Sequence, residues 1–544
     1  MHTSLDSDRA RPLHEDPRIH ARRWFLLAMM CLSLVLVVMS VSGLVTAIPT
    51  MQEELGASAS QIQWILDAYA IVFAGSLLTA GALGDRFGRK RALLSGLVVF
   101  GLGALFGGLA SSAEQVIAGR AVMGIGAALV MPATLSIITT IFPPEERPRA
   151  IAMWAGFAGA GGAIGPIVSG ALLERYWWGS ALLVNLPLVA LTFIAIWTFA
   201  PESRDETKTP LDPVGAVLSL GGLGALVYAI IQGGEDGFAN ASVLTAGVVA
   251  IATLSAFVAW ERRSPHPMLP LTLFNDRRFS LGSGVITVSF FVLFGFFFLV
   301  TQYLQFARGY SPFLAGAALL PLPVTFVVLS APSAGFAARF GAARVMAVGL
   351  VIVGAGFVMV SSLEPGTSYL LLASAFAVIG AGMGITAAPA TGELMSAVPL
   401  SKAGVGSAVN DTTRELGGAL GIAILGSIAN SAYRASIDLG GLGLGSTARS
   451  LGQDSIGGAA RVAGTVPGAG AVHARAAVAF TDAFNVASIV SIVVVATAAL
   501  AVLLFGRSRR AQEALGDELD DEPVDEALEF ELAMVPAAIA QPTE

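Results

Sequence analysis

Five ionisable side chains fall inside long apolar runs: Asp67, Arg120, Asp411, Arg414 and Glu415. A charge held away from water is costly, so residues of this kind usually mark a route for ions or polar cargo. Asp411 and Glu415 are four residues apart and share one helix face, while Arg414, three residues from Asp411, can pair with it locally. Two carboxylates so placed can exchange a proton for a cation. Asp67 and Arg120 each lie about five residues into their runs from the same side, so a salt bridge between them is expected, with Arg120 tuning the proton affinity of Asp67. If the two face apart, Asp67 is instead a desolvated acid suited to proton carriage. Glu393, close to the end of its run, is a weaker candidate. For both groups the competing role is structural: a fixed ion pair, or a charged patch that steadies the helices.

The elements that position these residues follow from composition. Of 544 residues, 55% are hydrophobic and 13% charged, about half the charged share of a soluble domain. The 62 glycines suit membrane helices, whose backbones approach closely. A helix needs roughly 20 apolar residues to cross the hydrocarbon. Candidate spans lie at 24–45, 62–83, 92–110, 115–137, 150–172, 181–200, 213–233, 243–260, 280–304, 312–333, 344–362, 369–392, 403–430 and 480–505. The first follows Arg22 and Arg23 but is too long for a signal-peptide core, and it reads as a retained helix. The chain is thus an all-α membrane protein of about fourteen spans.

Loop charges set the orientation. With both termini inside, 23 of the 31 Lys and Arg residues fall in cytoplasmic segments and six outside, the asymmetry expected of an even number of spans. The net charge of −7 belongs to the tail. Beyond Gln512 the chain carries eleven acids and no base, and the remainder holds 27 acids against 31 bases. The expected organisation is a cytoplasmic segment 1–23, a six-helix half 24–200, a linker 201–260 with two extra helices, and a second six-helix half 261–506. The second half includes a loose, flexible Gly/Ala/Ser-rich external loop 433–476, and the acidic cytoplasmic tail 507–544 follows it.

Enzyme chemistry is not expected. The single cysteine, Cys31, lies within a span, and the histidines His2, His14, His20, His266 and His473 all lie in polar stretches, so no metal or nucleophile constellation forms. No cofactor, metal or nucleic-acid partner is expected. Nor does the sequence offer the charged ring or filter loop of a channel. The partners expected are a small-molecule substrate, protons and the bilayer, with the protein acting as a monomer.

Two loops repeat one pattern. Arg86-Phe87-Gly88-Arg89-Lys90-Arg91 follows the second span, and Arg339-Phe340-Gly341-Ala342-Ala343-Arg344 follows the tenth. A repeat of this kind is expected where a transporter is built from related halves, and its spacing leaves two extra helices between them. Gly88 permits a tight turn, and Asp85 is placed to accept from an arginine or a helix N-terminus.

The run Gly81-Ala82-Leu83-Gly84-Asp85-Arg86-Phe87-Gly88-Arg89-Lys90-Arg91 resembles the signature loop of the major facilitator superfamily. Gly119-Arg120-Ala121-Val122-Met123-Gly124-Ile125-Gly126 looks like that family's fourth-helix motif. The run from Gly161 through Gly165 and Pro166 to Gly170 is similar to its antiporter motif G-x-x-x-G-P-x-x-G-G, with Ser169 in place of one glycine. Trp64-Ile65-Leu66-Asp67-Ala68-Tyr69, Val184-Asn185-Leu186-Pro187 and Gly404-Val405-Gly406-Ser407-Ala408-Val409 resemble the fourteen-helix drug:proton antiporters of the QacA/EmrB type. The resemblance extends to about residue 430. It implies a major-facilitator fold of two six-helix halves with two added central helices, in the plasma membrane, exporting amphipathic or cationic drugs or antibiotics against protons. It also implies acids at the positions of Asp411 and Glu415 in some cation exporters. Ser40 stands where the family usually has a first-helix Asp. The alternative function is a facilitator of another solute, such as an amino acid, peptide or lipid-like metabolite. Phe290, Phe291, Phe294, Phe297, Phe298, Tyr303 and Met383 are candidates to line an adaptable apolar pocket.

Overall fold

The computed structural model describes residues 13–55, 59–204, 212–464 and 469–506. Every long element is a helix: α1 Pro17–Leu55, α2 Ala59–Phe87, α3 Arg89–Gly108, α4 Ala113–Ile141 and α5 Arg147–Leu173; short α6 Ser180–Leu183 running into α7 Asn185–Phe199; α8 Pro213–Asp236, α9 Ala241–Glu261 and α10 Arg277–Gln302; α11 Pro312–Ala318 leading into α12 Pro321–Phe340; α13 Ala342–Val360, α14 Tyr369–Ser396, α15 Ala403–Ser436, α16 Ser446–Asp454, α17 Ile456–Ala463 and α18 Ala469–Phe505. Thirteen segments among the described residues are long and apolar enough to cross a membrane. With the 27-residue α5, about fourteen spans result. The acidic tail lies outside the described residues.

In hydrocarbon there is no hydrophobic drive between helices, so association depends on close packing, and small residues set its limit. The antiporter-motif helix shows how. On α5, a Cβ added to Gly165 would stand 2.7 Å from both Gly43 N and Met39 O of α1, and one added to Gly161 would stand 2.9 Å from Val38 Cβ. Ser169 fills its glycine position by laying its hydroxyl against Gly43. Gly170, in contrast, meets nothing nearer than 3.9 Å. The later helices repeat the device: a Cβ on Gly382 of α14 would lie 2.6 Å from Gly349 O of α13.

The six spans up to α7 pack mainly among themselves, as do the six from α10 onward. The two sets meet where α2 lies on α15 and α5 on α12. Helices α8 and α9 pair with each other, and α8 rests on both α2 and α15. Asp212 caps α8 by accepting from Gly215 N at 2.8 Å and also accepts from Trp260 Nε1 of α9 at 2.8 Å.

The two repeated loops fold alike. Gly88 and Gly341 each precede a helix at φ 115° and 86°, a region that favours glycine. Arg86 lies over Phe87, and Arg339 over Phe340. The 433–476 segment departs from expectation. It holds the short helices α16 and α17 with their own buried face of Leu439, Ile456, Ala459 and Val462. Tyr433 Oη donates to Gly452 O at 2.9 Å, and Arg434 pairs with Asp454 at 2.5 Å.

Gly165→Ala is expected to lower the thermal midpoint of the purified protein, reflecting an overpacking cost of about 1–3 kcal/mol. Gly170→Ala should leave that midpoint unchanged. Equal effects of the two would contradict this account of the α1–α5 seam.

Candidate functional site

The signature loop sits where α2 and α3 meet the first turn of α15. Asp85 accepts from Gly404 N through Oδ1 at 2.9 Å and from Val405 N through Oδ2 at 3.1 Å, satisfying donors that a helix start leaves free. Arg89 donates to Asp85 at 2.8 Å and to Leu400 O at 2.6 Å, and both side chains are buried. Gly81 is small for a reason: its Cβ would stand 2.5 Å from Gly404 O. The loop therefore closes the two helix sets against each other at their basic end.

Arg120 is fully buried in α4. Its Nε donates to Ile65 O at 3.1 Å, its guanidinium lies 4.2 Å from the Tyr69 ring centre, and neither Nη has a hydrogen-bond partner. The expected salt bridge to Asp67 is not made. Ile65 and Tyr69 are four residues apart and present one face of α2 to Arg120. Asp67 falls midway between them and so lies on the other side of the helix. It is half-buried, and it forms no ion pair among the described residues. Ser40 donates to Val37 O of its own helix at 2.8 Å and supplies no charge to this region.

Asp411, Arg414 and Glu415 lie on α15 beside helices of both sets: α2 and α4 from the first, α10, α14 and α18 from the second. Glycines bring α10 close, since a Cβ on Gly421 would lie 2.8 Å from the Phe291 carbonyl carbon. This approach delivers Phe290 to Arg414. The Arg414 guanidinium stands 5.0 Å from the Phe290 ring centre and 4.8 Å from that of Trp154 on α5, and its Nη2 donates to Thr391 Oγ1 of α14 at 3.3 Å. Thr391 Oγ1 donates to Asn410 Oδ1 at 3.1 Å, and Asn410 Nδ2 donates to Asp411 Oδ1 at 3.1 Å. Trp154 is fully buried, its Nε1 donating to Thr134 Oγ1 at 3.1 Å. The local Asp411–Arg414 pair allowed by their spacing is not formed. Glu415 is half-buried, within electrostatic reach of Tyr69.

Glu393 lies 3.9 Å from Arg278 toward the basic end, apart from this cluster. Of the aromatic and methionine candidates, Phe290, Tyr303 and Met383 are buried, Phe291, Phe294 and Phe297 are half-buried, and Phe298 is exposed. Trp154 and Thr391 were not singled out from sequence. The available signal was a tryptophan within an apolar run that also carries the antiporter-like glycines.

A bundle of about fourteen spans with charged groups along its central seam defines a polytopic transporter architecture. The Major Facilitator Superfamily profile matches residues 30–422, and the chain belongs to that family. Multidrug efflux pump LfrA of Mycolicibacterium smegmatis is 35% identical over 488 residues, covering 89% of this chain and 96% of its own. Methyl viologen resistance protein SmvA of Salmonella typhimurium is 32% identical over 82% of this chain and 90% of its own. Tetracenomycin C resistance and export protein of Streptomyces glaucescens is 30% identical over 92% and 94%. The crystal structure of the human organic anion transporter MFSD10 matches with TM-score 0.58 over 87% of this chain and 99% of that one; at 12% identity, this is a likeness of fold alone.

Removing the carboxylate in Asp85→Ala leaves Arg89 buried without its partner and the first turn of α15 uncapped. Amide hydrogen exchange at Gly404 and Val405 should then accelerate by about five- to thirtyfold, the effect of losing a cap worth ~1–2 kcal/mol. Exchange at the wild-type rate would contradict the capping role.

Proposed function

We propose that the protein is a proton-coupled antiporter that exports small amphipathic or cationic compounds, drugs and antibiotics among them, across the plasma membrane. Its basic end and both termini face the cytoplasm, and it works as a monomer. The observation that carries this reading is the placement of Asp411 and Glu415 on one helix that touches both helix sets. At about 1.5 Å per residue from the start of α15 they lie roughly 12 and 18 Å deep, near where such transporters place cargo and coupling ions. Carboxylates there bind either a proton or a cation. Protonation from outside discharges the cargo, and deprotonation to the cytoplasm permits reloading as the halves rock about the site. The names of LfrA, SmvA and the tetracenomycin exporter support the same direction and cargo class. Asp67 is a second acid able to serve, and Arg120, held on the opposite face of α2 from it, acts through Tyr69 rather than by direct pairing.

Ser40 favours one other reading. With Ser40 rather than an acid in the apolar stretch of α1, the fold suits movement of another solute, such as an amino acid, a peptide or a lipid-like metabolite.

The test is counterflow in proteoliposomes with an imposed pH gradient and tetraphenylphosphonium as probe. Wild type should exchange the cation for protons. At least one of Asp67→Asn, Asp411→Asn and Glu415→Gln should insert normally yet show gradient-driven exchange at background level. Full activity in all three would remove these acids from the mechanism. Nutrient uptake with no cation exchange would favour the second reading.

A further inference from the structure

Asp411 and Arg414 stand one turn apart on α15, both buried, and each keeps an unpartnered polar atom: Oδ2 of the acid and Nε of the base. Opposite charges at this spacing pair readily in a helix. Here the guanidinium lies instead against the rings of Trp154 and Phe290. A buried carboxylate with an unpartnered oxygen costs far more when charged than when neutral. The arrangement is one that suits an uncharged Asp411, with Arg414 parked elsewhere. Trp154 belongs to α5, in the first helix set, and Arg414 to the second, so the parked guanidinium also ties the two sets together.

We propose that Trp154 is a positioning residue for coupling: with Phe290 it holds Arg414 off Asp411 while Asp411 carries a proton. When the proton leaves to water on the cytoplasmic side, only the carboxyl O–H bond breaks, and Arg414 keeps its charge throughout. Arg414 then swings from the rings to the new carboxylate, and the tie between α5 and α15 is lost, freeing the basic end to open. A cationic cargo that pairs with Asp411 from the cytoplasm returns Arg414 to Trp154 and closes that end again. Proton and cargo thus act alike on one arm, which makes their movements exclusive.

The charged groups around Asp411 fit this role. Arg414 and Glu415 share its helix, and α14, α10 and α5 present Thr391, Phe290 and Trp154. Tyr69 of α2 and Arg120 of α4 lie together, with Tyr69 in reach of Glu415. Asp85 is engaged at the first turn of α15 with Arg89, and Glu261 of α9 accepts from Leu269 N at 3.2 Å within reach of Lys402. On the α18 side stands Asp482, which is exposed.

The inference rests on the antiport reading and is tested apart from it. In full-length protein in nanodiscs, with Cys31→Ser removing the lone thiol, spin labels on Glu145→Cys and Arg344→Cys report the separation of the two sets at the basic end. In wild type the long-distance population should grow as pH rises. Asp411→Asn should hold the short distance at every pH. Trp154→Ala should move the midpoint of opening about one unit toward acid, as expected for loss of a desolvated cation–π contact. Trp154→Phe, which keeps a ring face, should move it less. If Trp154→Ala unfolds, the Phe variant and Asp411→Asn still decide. A wild-type midpoint in Trp154→Phe and Ala alike, or pH-driven opening retained in Asp411→Asn, overturns the proposal. If cation–proton exchange persists in either case, the antiport reading survives; if wild type shows no exchange at all, that reading fails instead.

Discussion

The governing constraint is desolvation. A charge inside a helical bundle loses water worth many kcal/mol and must recover it from neighbours. The molecule meets that demand in three ways. Asp85 and Arg89 satisfy each other and the open end of α15, a complete solution that serves as a structural joint. Arg120 and Arg414 turn to ring faces, which attract a cation without neutralising it. Asp411 accepts from Asn410 with one oxygen and keeps the other with no partner. Arg120, Arg414 and Asp411 thus contrast with Asp85 and Arg89, whose mutual pairing lies at the basic end.

The difference between joint and switch is therefore one of partners rather than residue type. Aspartate and arginine appear in both roles. At residues 85 and 89 they share oxygens, backbone donors and a carbonyl, so any displacement exposes several groups at once. At 411 and 414 the same two residue types are held apart by a ring on a neighbouring helix, leaving an alternative contact within reach of one side chain.

Much of this was legible in the sequence. Apolar run length gave every span, including the weak pair at 213–233 and 243–260, because membrane thickness imposes a minimum that loops do not meet. The repeated Arg-Phe-Gly loops were visible because a positive φ demands glycine at both turns. Side-chain facing was less legible. Asp67 and Arg120 share a depth, but depth says nothing of azimuth, and it is Ile65 and Tyr69 that face the arginine. Trp154 is 260 residues from Arg414 in the chain, and an uncharged residue carries no mark of the cation it will meet. The 446–463 helices escaped notice because a Gly- and Ala-rich average hides a few well-spaced residues such as Ile456, Ala459 and Val462, which suffice to seat a short helix.

The backbone-to-backbone seams have a mechanical corollary. Where Gly165 faces Gly43, or Gly382 faces Gly349, only short hydroxyl side chains stand beside the backbones, and a slip of a fraction of an ångström brings main chain toward main chain. Each group of six spans is thereby geared into a stiff plate. Between the plates lie an ion-capped helix start, a hydroxyl of Ser330 on the Ala152 carbonyl and a stacked guanidinium, all contacts that can part and re-form without leaving a hole. Glycine, by limiting shear inside the plates, directs the working stroke to the line where they meet, where the close approach of Gly81 to Gly404 must part rather than slide.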